Sequence, residues 1–121
     1  MKHIATSIRA FIGAKNFEES RQFYKDLGFV ETVLSTNMSV FRVTEKLCFY
    51  LQDAYVKDWI DNTMLFLEVD DAYRYHDELK SLELDKKYQQ VRLSPVVVND
   101  WGKECFLHDP CGILWHFGTF N

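Results

Sequence analysis

With 121 residues, 47% of them hydrophobic and 26% charged, the chain has the makings of one globular domain that buries a core without disulfide or metal staples. A net charge of −4 with no Lys/Arg cluster excludes the basic footprint that nucleic-acid binding requires, and slightly favours a neutral or cationic ligand. Ten Phe, six Tyr and three Trp are more rings than one core of this size can hide, so some should line a cavity or an interface.

Cys48, Cys105 and Cys111 are odd in number and lack CxxC spacing, which suggests neither a disulfide framework nor a zinc knuckle. The Met-Lys-His-Ile-Ala start lacks an apolar signal core, and no apolar run approaches a membrane-spanning length. A cytoplasmic, reducing setting without membrane contact is expected.

In chain order, residues 4–13 read as a strand. Asn16 then caps a helix with Glu18 and Glu19 in its first turn and Phe17, Phe23, Tyr24 and Leu27 at helical spacing, ended by Gly28. Three short strands follow at about 29–35, 38–43 and 46–52, separated at Thr36-Asn37 and Thr44-Glu45-Lys46. Residues 53–62 read as a linker that contains Trp59. The order then repeats: a strand at 63–69, a helix capped by Asp70 or Asp71 and running to about Leu82, extended pieces at 88–91 and 96–98, and a hairpin at 102–119. In the second helix Ala72, Tyr75 and Leu79 should face the sheet, with Leu82 extending the stripe. The hairpin turn is Asp109-Pro110-Cys111-Gly112, where Pro110 fixes φ, Asp109 can bond the backbone ahead, and Gly112 supplies a positive φ.

These residues resemble the vicinal-oxygen-chelate superfamily, which includes glyoxalase I, extradiol dioxygenases, and fosfomycin- and bleomycin-resistance proteins. Residues 14–29, Ala-Lys-Asn-Phe-Glu-Glu-Ser-Arg-Gln-Phe-Tyr-Lys-Asp-Leu-Gly-Phe, look like its first helix. Residues 66–71, Phe-Leu-Glu-Val-Asp-Asp, resemble the second strand-to-helix junction, and Asp109-Pro110-Cys111-Gly112 the final turn. Within the superfamily the match is best to bleomycin-resistance proteins: residues 101–106, Trp-Gly-Lys-Glu-Cys-Phe, resemble their Trp-Gly-Arg-Glu-Phe segment, and residues 114–117, Leu-Trp-His-Phe, their last strand. The resemblance implies an α+β fold of two βαβββ modules, residues 1–55 and 56–121 of a single domain 1–121, forming a cupped mixed sheet completed in a homodimer.

The superfamily's enzymes carry three or four His, Glu or Gln metal ligands, and the motifs place Arg9, Met64 and His116 at three of those positions. Arg cannot ligate, Met is too soft for divalent Mn, Ni, Zn or Fe, and one His is not a site. Glu68 and Glu104 lie outside the family's ligand positions. No metal and no cofactor is therefore expected, and His116 reads as a partly buried residue hydrogen-bonded within the cup. Arg9 could pair with a carboxylate such as Glu68 or orient an anionic group of a ligand. The remaining histidines, His3, His76 and His108, read as surface residues. No Gly-x-Ser-x-Gly elbow, phosphate loop or paired acid-base motif is present.

Strand parity assigns the lining: Arg9, Phe11 and Gly13 on the first strand, Met64, Phe66 and Glu68 on the fifth, and Leu114, His116, Gly118 and Phe120 on the last. An aromatic and apolar lining with few polar points suits flat or amphipathic small molecules. The resemblance implies that Trp101 stacks on a planar heteroaromatic group and that Trp59 offers a second aromatic surface; an interface anchor is the other reading of Trp101. The expected function is a metal-free protein, leaning away from an enzyme, that sequesters a small molecule through Trp101, Trp59, Arg9, Phe11, Met64, Phe66, Glu68 and His116. The alternatives are a glyoxalase- or lyase-type enzyme with an atypical metal site, and a protein-interaction module.

Overall fold

The structure, a computed structural model, describes residues 2–121. Two compact units divide the chain, Met1–Tyr55 and Val56–Asn121. In the first, β1 (Phe11–Gly13), α1 (Phe17–Asp26), β2 (Val30–Ser35), β3 (Met38–Thr44) and β4 (Leu47–Gln52) form a sheet in the order β1-β4-β3-β2. The β1–β4 pair is parallel and the others antiparallel.

The local signals for α1 act as read. The Asn16 side chain accepts the Glu19 backbone N–H, so one orphan donor of the first turn is satisfied. Gly28 takes φ +101°, and the chain folds back so that the Phe29 N–H donates to the Tyr24 carbonyl at 3.1 Å. Phe23 and Tyr24 are then fully buried, Phe23 edge-on to Tyr24, and Tyr24 packs against Phe29, Phe41 and Phe49, meeting Phe49 edge-on at 5.1 Å. Burial of each such ring contributes about 1.5–3 kcal/mol. These five rings are thus core.

The first strand is shorter than its pattern suggests. Only Phe11–Gly13 pairs along β4, and residues 2–10 form no strand. Ile4 and Ile8 are 89% and 99% exposed. Pairing along β4 begins at Phe11, preceded by Ala10, whose carbonyl accepts the Tyr50 N–H, and alternation without pairing does not make a strand.

The second unit comprises α2 (Lys57–Asp61), β5 (Met64–Glu68), α3 (Ala72–Ser81), α4 (Leu84–Lys87), β6 (Arg92–Leu93), β7 (Val97–Asn99), β8 (Gly102–His108) and β9 (Leu114–Phe120). Its sheet order, β5-β9-β8-β6 with β7 also on β8, repeats that of the first unit. The fourth place is split because Pro95 has no N–H for the ladder; Ser94 instead donates its N–H to the Phe106 carbonyl and accepts the Phe106 N–H on Oγ.

Asp71 is the residue that caps α3, accepting the Arg74 N–H. Ala72 and Leu79 are buried and Tyr75 stacks on Phe117 at 4.9 Å, as the stripe implies, whereas Leu82 is the helix C-cap and lies exposed. Residues 53–62 are not all linker: α2 buries Ile60 in a single turn, too short to leave a periodic pattern. Residues 84–87 form a short helix, α4, and the extended piece read at 88–91 forms no strand, although Tyr88 and Val91 are buried. The break before α4 falls at Glu83, in the left-handed region at φ +52°, where no glycine announces it. Asp109 is fully buried, and its Oδ1 accepts the N–H groups of Cys111, Gly112 and Ile113 at 2.8–2.9 Å, which closes the hairpin turn.

Candidate functional site

The register of the second sheet places its site-forming residues in rows on the face turned away from α3. Met64 pairs with Leu114, which pairs with His108, which pairs with Arg92. In the next row Phe66 pairs with His116 and His116 with Phe106. Then come Glu68, Gly118 and Glu104, and finally Phe120 opposite Gly102. Parity read along 102–108 would have found Glu104, Phe106 and His108 on His116's face.

Aromatic rings gather on this face. Phe66 lies 5.8 Å from Trp101, 5.8 Å from Phe120 and 6.1 Å from His116, and Trp101 lies 5.1 Å from Phe120. Phe66 and Trp101 remain 45% and 37% exposed. Trp101 is held at its backbone, whose carbonyl accepts the Asn121 N–H, and the adjoining Gly102 fits tightly because a Cβ there would overlap the Thr119 carbonyl oxygen. The face is therefore apolar, open and preformed.

Beneath the rings lies one polar relay. The Glu104 carboxylate accepts the Asn99 amide at 2.9 Å on Oε2 and lies 2.9 Å from His116 Nδ1 on Oε1. Asn99 comes from β7 and carried no signal in the sequence. Phe106 meets the imidazole edge-on at 4.9 Å. Beside it a groove of about 310 Å³ is lined by Arg92, Leu93, Ser94, Phe106, His108 and Leu114. His108 is partly buried rather than a surface residue; burial, and then the charge of Arg92, lower its pKa, so it is neutral near pH 7. His76 is also partly buried, with Nδ1 3.2 Å from Asp77.

Of the residues read from the sequence, Phe66, Trp101 and His116 come together here, with Met64 and Glu68 on the same strand face. Trp59, on α2, is 70% exposed and stands outside the ring cluster. In the first unit Phe11 stacks on Tyr50 at 4.5 Å, and Arg9 donates to the Tyr50 hydroxyl at 3.4 Å with its guanidinium 5.7 Å from the ring. Tyr50 is the partner that sequence reading did not name.

Among solved structures, a bleomycin-binding protein from Streptomyces verticillus, complexed with copper(II)-bleomycin, matches with a TM-score of 0.80 at 19% identity, covering 98% of this chain and 99% of that one. A bleomycin resistance determinant encoded on the transposon Tn5 matches with a TM-score of 0.78 at 17% identity over 97% and 99% of the two chains. The chain has the glyoxalase/bleomycin-resistance/dioxygenase fold. The lactoylglutathione lyase of Agrobacterium tumefaciens shares it, with a TM-score of 0.71 at 15% identity over 98% and 96%. No family model and no curated protein matches the sequence.

Enzymes with this fold imply a divalent metal, and the residues present do not fit one. Arg9 offers only N–H donors and is engaged with Tyr50; Met64 offers only a thioether; His116 has its Nδ1 on Glu104. Among the described residues no group of three or more His, Cys, Asp or Glu could hold a metal ion. No helix among them is long and apolar enough to cross a membrane.

Proposed function

We propose that this chain is a metal-free, cytoplasmic small-molecule-binding protein that sequesters a planar or amphipathic ligand, as a homodimer. The observation that carries this reading is the exposed ring cluster of Phe66, Trp101 and Phe120 beside His116. Flat rings offered to solvent on a rigid sheet suit stacking, and the described residues offer no ligand set for a catalytic metal. In this reading Trp101, Phe66 and His116 contact the ligand directly, and Met64 and Glu68 flank it on β5. Trp59 supplies further contact surface in the second unit, and Arg9 and Phe11 supply a contact surface of their own in the first. Bleomycin-binding proteins with the same fold support the ligand class, while the fold itself also carries lyases.

Homodimer formation is supported by apolar side chains that one copy leaves uncovered, Ile4 and Ile8 before β1 and Val33 and Leu34 on β2. Sedimentation should give twice 14.4 kDa at low micromolar concentration, and a monomer there would remove this part of the reading.

Calorimetric titration with bleomycin and with smaller flat heteroaromatics should give saturable heats. Elemental analysis of the purified protein should find no stoichiometric Mn, Fe, Ni, Zn or Co. One tightly held metal per chain, lost in His116→Ala, would favour the lyase reading. Saturable binding of a protein partner to the same face, with no small-molecule signal, would favour an interaction module.

A further inference from the structure

The relay on β8 and β9 defines what a ligand must offer. Both oxygens of Glu104 are engaged, one by the Asn99 amide and one by His116 Nδ1, and its side chain is only 12% exposed. A carboxylate can only accept, so Nδ1 carries a proton, and with one proton on the ring Nε2 carries a lone pair. Nε2 lies across the ring from Glu104, is buried, and has no hydrogen-bond partner among the described residues. Buried polar atoms are nearly always satisfied, which makes this one conspicuous. The surroundings restrict what can satisfy it: Phe66 stacks over the imidazole at 29° and Phe106 meets it edge-on at 74°.

The geometry points to a flat aromatic ligand with a neutral N–H or O–H on its edge, which lies against Phe66 and donates that hydrogen to His116 Nε2. This rests on the small-molecule reading above and adds which flat molecules are selected. A flat molecule without a donor would leave Nε2 buried and unpaired, and sites built around a hydrogen bond discriminate strongly against analogues that lack it. Asn99 and Glu104 act as positioning residues, because they fix the tautomer without reaching the ligand.

The test compares indole, which has an edge N–H, with benzofuran and quinoline, which are flat but only accept. Calorimetry on the intact protein should show indole binding at least about tenfold more tightly than either. In His116→Phe, which keeps a ring but removes the nitrogen, the difference should shrink to under about twofold. The ¹⁵N resonance of His116 Nε2 in the wild-type protein should shift on adding indole and not benzofuran, a readout that does not depend on the variant folding. Equal affinities for indole and benzofuran would overturn the inference while leaving the binding reading in place. Preference for quinoline would overturn it by making Nε2 a donor. Failure of all three to bind saturably would overturn both.

Discussion

Gly118 is shaped around Phe66: a Cβ on Gly118 would run into the Phe66 ring at Cζ. The two residues lie on adjacent parallel strands, and the missing side chain on β9 lets the Phe66 ring cross toward Trp101 and Phe120. Gly118→Ala should therefore displace Phe66 from the cluster while leaving the strand pairing intact. The expected outcome is about a tenfold loss of affinity for a flat ligand, about 1.4 kcal/mol, with little change in melting temperature. Unchanged affinity would mean that the position of Phe66 does not matter to binding.

Stability has a different centre, in the first unit. Glu31 accepts Arg21 Nε at 2.6 Å and Nη2 at 3.0 Å, together with the Ser39 hydroxyl at 2.7 Å, and its side chain is 7% exposed. The Arg21 hydrogen bonds hold its carboxyl below the ordinary value of 4.5, burial acting against them. A carboxyl with a lowered folded pKa contributes stability that is full above its unfolded value and is lost as pH falls through the folded one. Glu31→Gln should cost about 2 kcal/mol near pH 7. That difference should shrink as pH drops below 4.5, measured by denaturant unfolding at a series of pH values.

The parts of the fold with local causes were legible in the sequence. Asn16, Gly28, Asp71 and the Asp109–Gly112 turn each act through backbone contacts a few residues away, and each acts as read. What stayed hidden depends on contacts distant in sequence or on unusual backbone. Only residues 11–13 of the strand read at 4–13 pair along β4, α2 is one turn long, and α4 follows a left-handed glutamate where the pattern offers no glycine. In the site, strand parity placed Phe66 and His116 on one face because two-residue periodicity carries that information directly. The Asn99–Glu104–His116 relay was not legible, since it joins three strands through a register that only pairing fixes.

The cysteines should differ in reactivity. Cys105 is fully buried, and burial, with a smaller contribution from the Glu104 charge, pushes its thiol up to about 11. Cys48 and Cys111 are partly exposed. At pH 8 a thiol reagent should modify Cys48 and Cys111 in the native protein and reach Cys105 only on unfolding. Mass mapping of labelled peptides checks this, and early labelling of Cys105 would mean that the α3 face opens readily.

The most direct measurement of the central claim follows the three tryptophan indole N–H resonances, from Trp59, Trp101 and Trp115, during titration with bleomycin or a smaller flat heteroaromatic. Stacking on the Phe66–Trp101–Phe120 cluster should move the Trp101 signal saturably, move Trp59 less, and leave the buried Trp115 nearly still. Trp101→Ala should weaken the same ligand at least about tenfold, in line with roughly 1–3 kcal/mol for ring stacking. A ligand that binds saturably while Trp101 stays unmoved, with unchanged affinity in Trp101→Ala, would contradict the account.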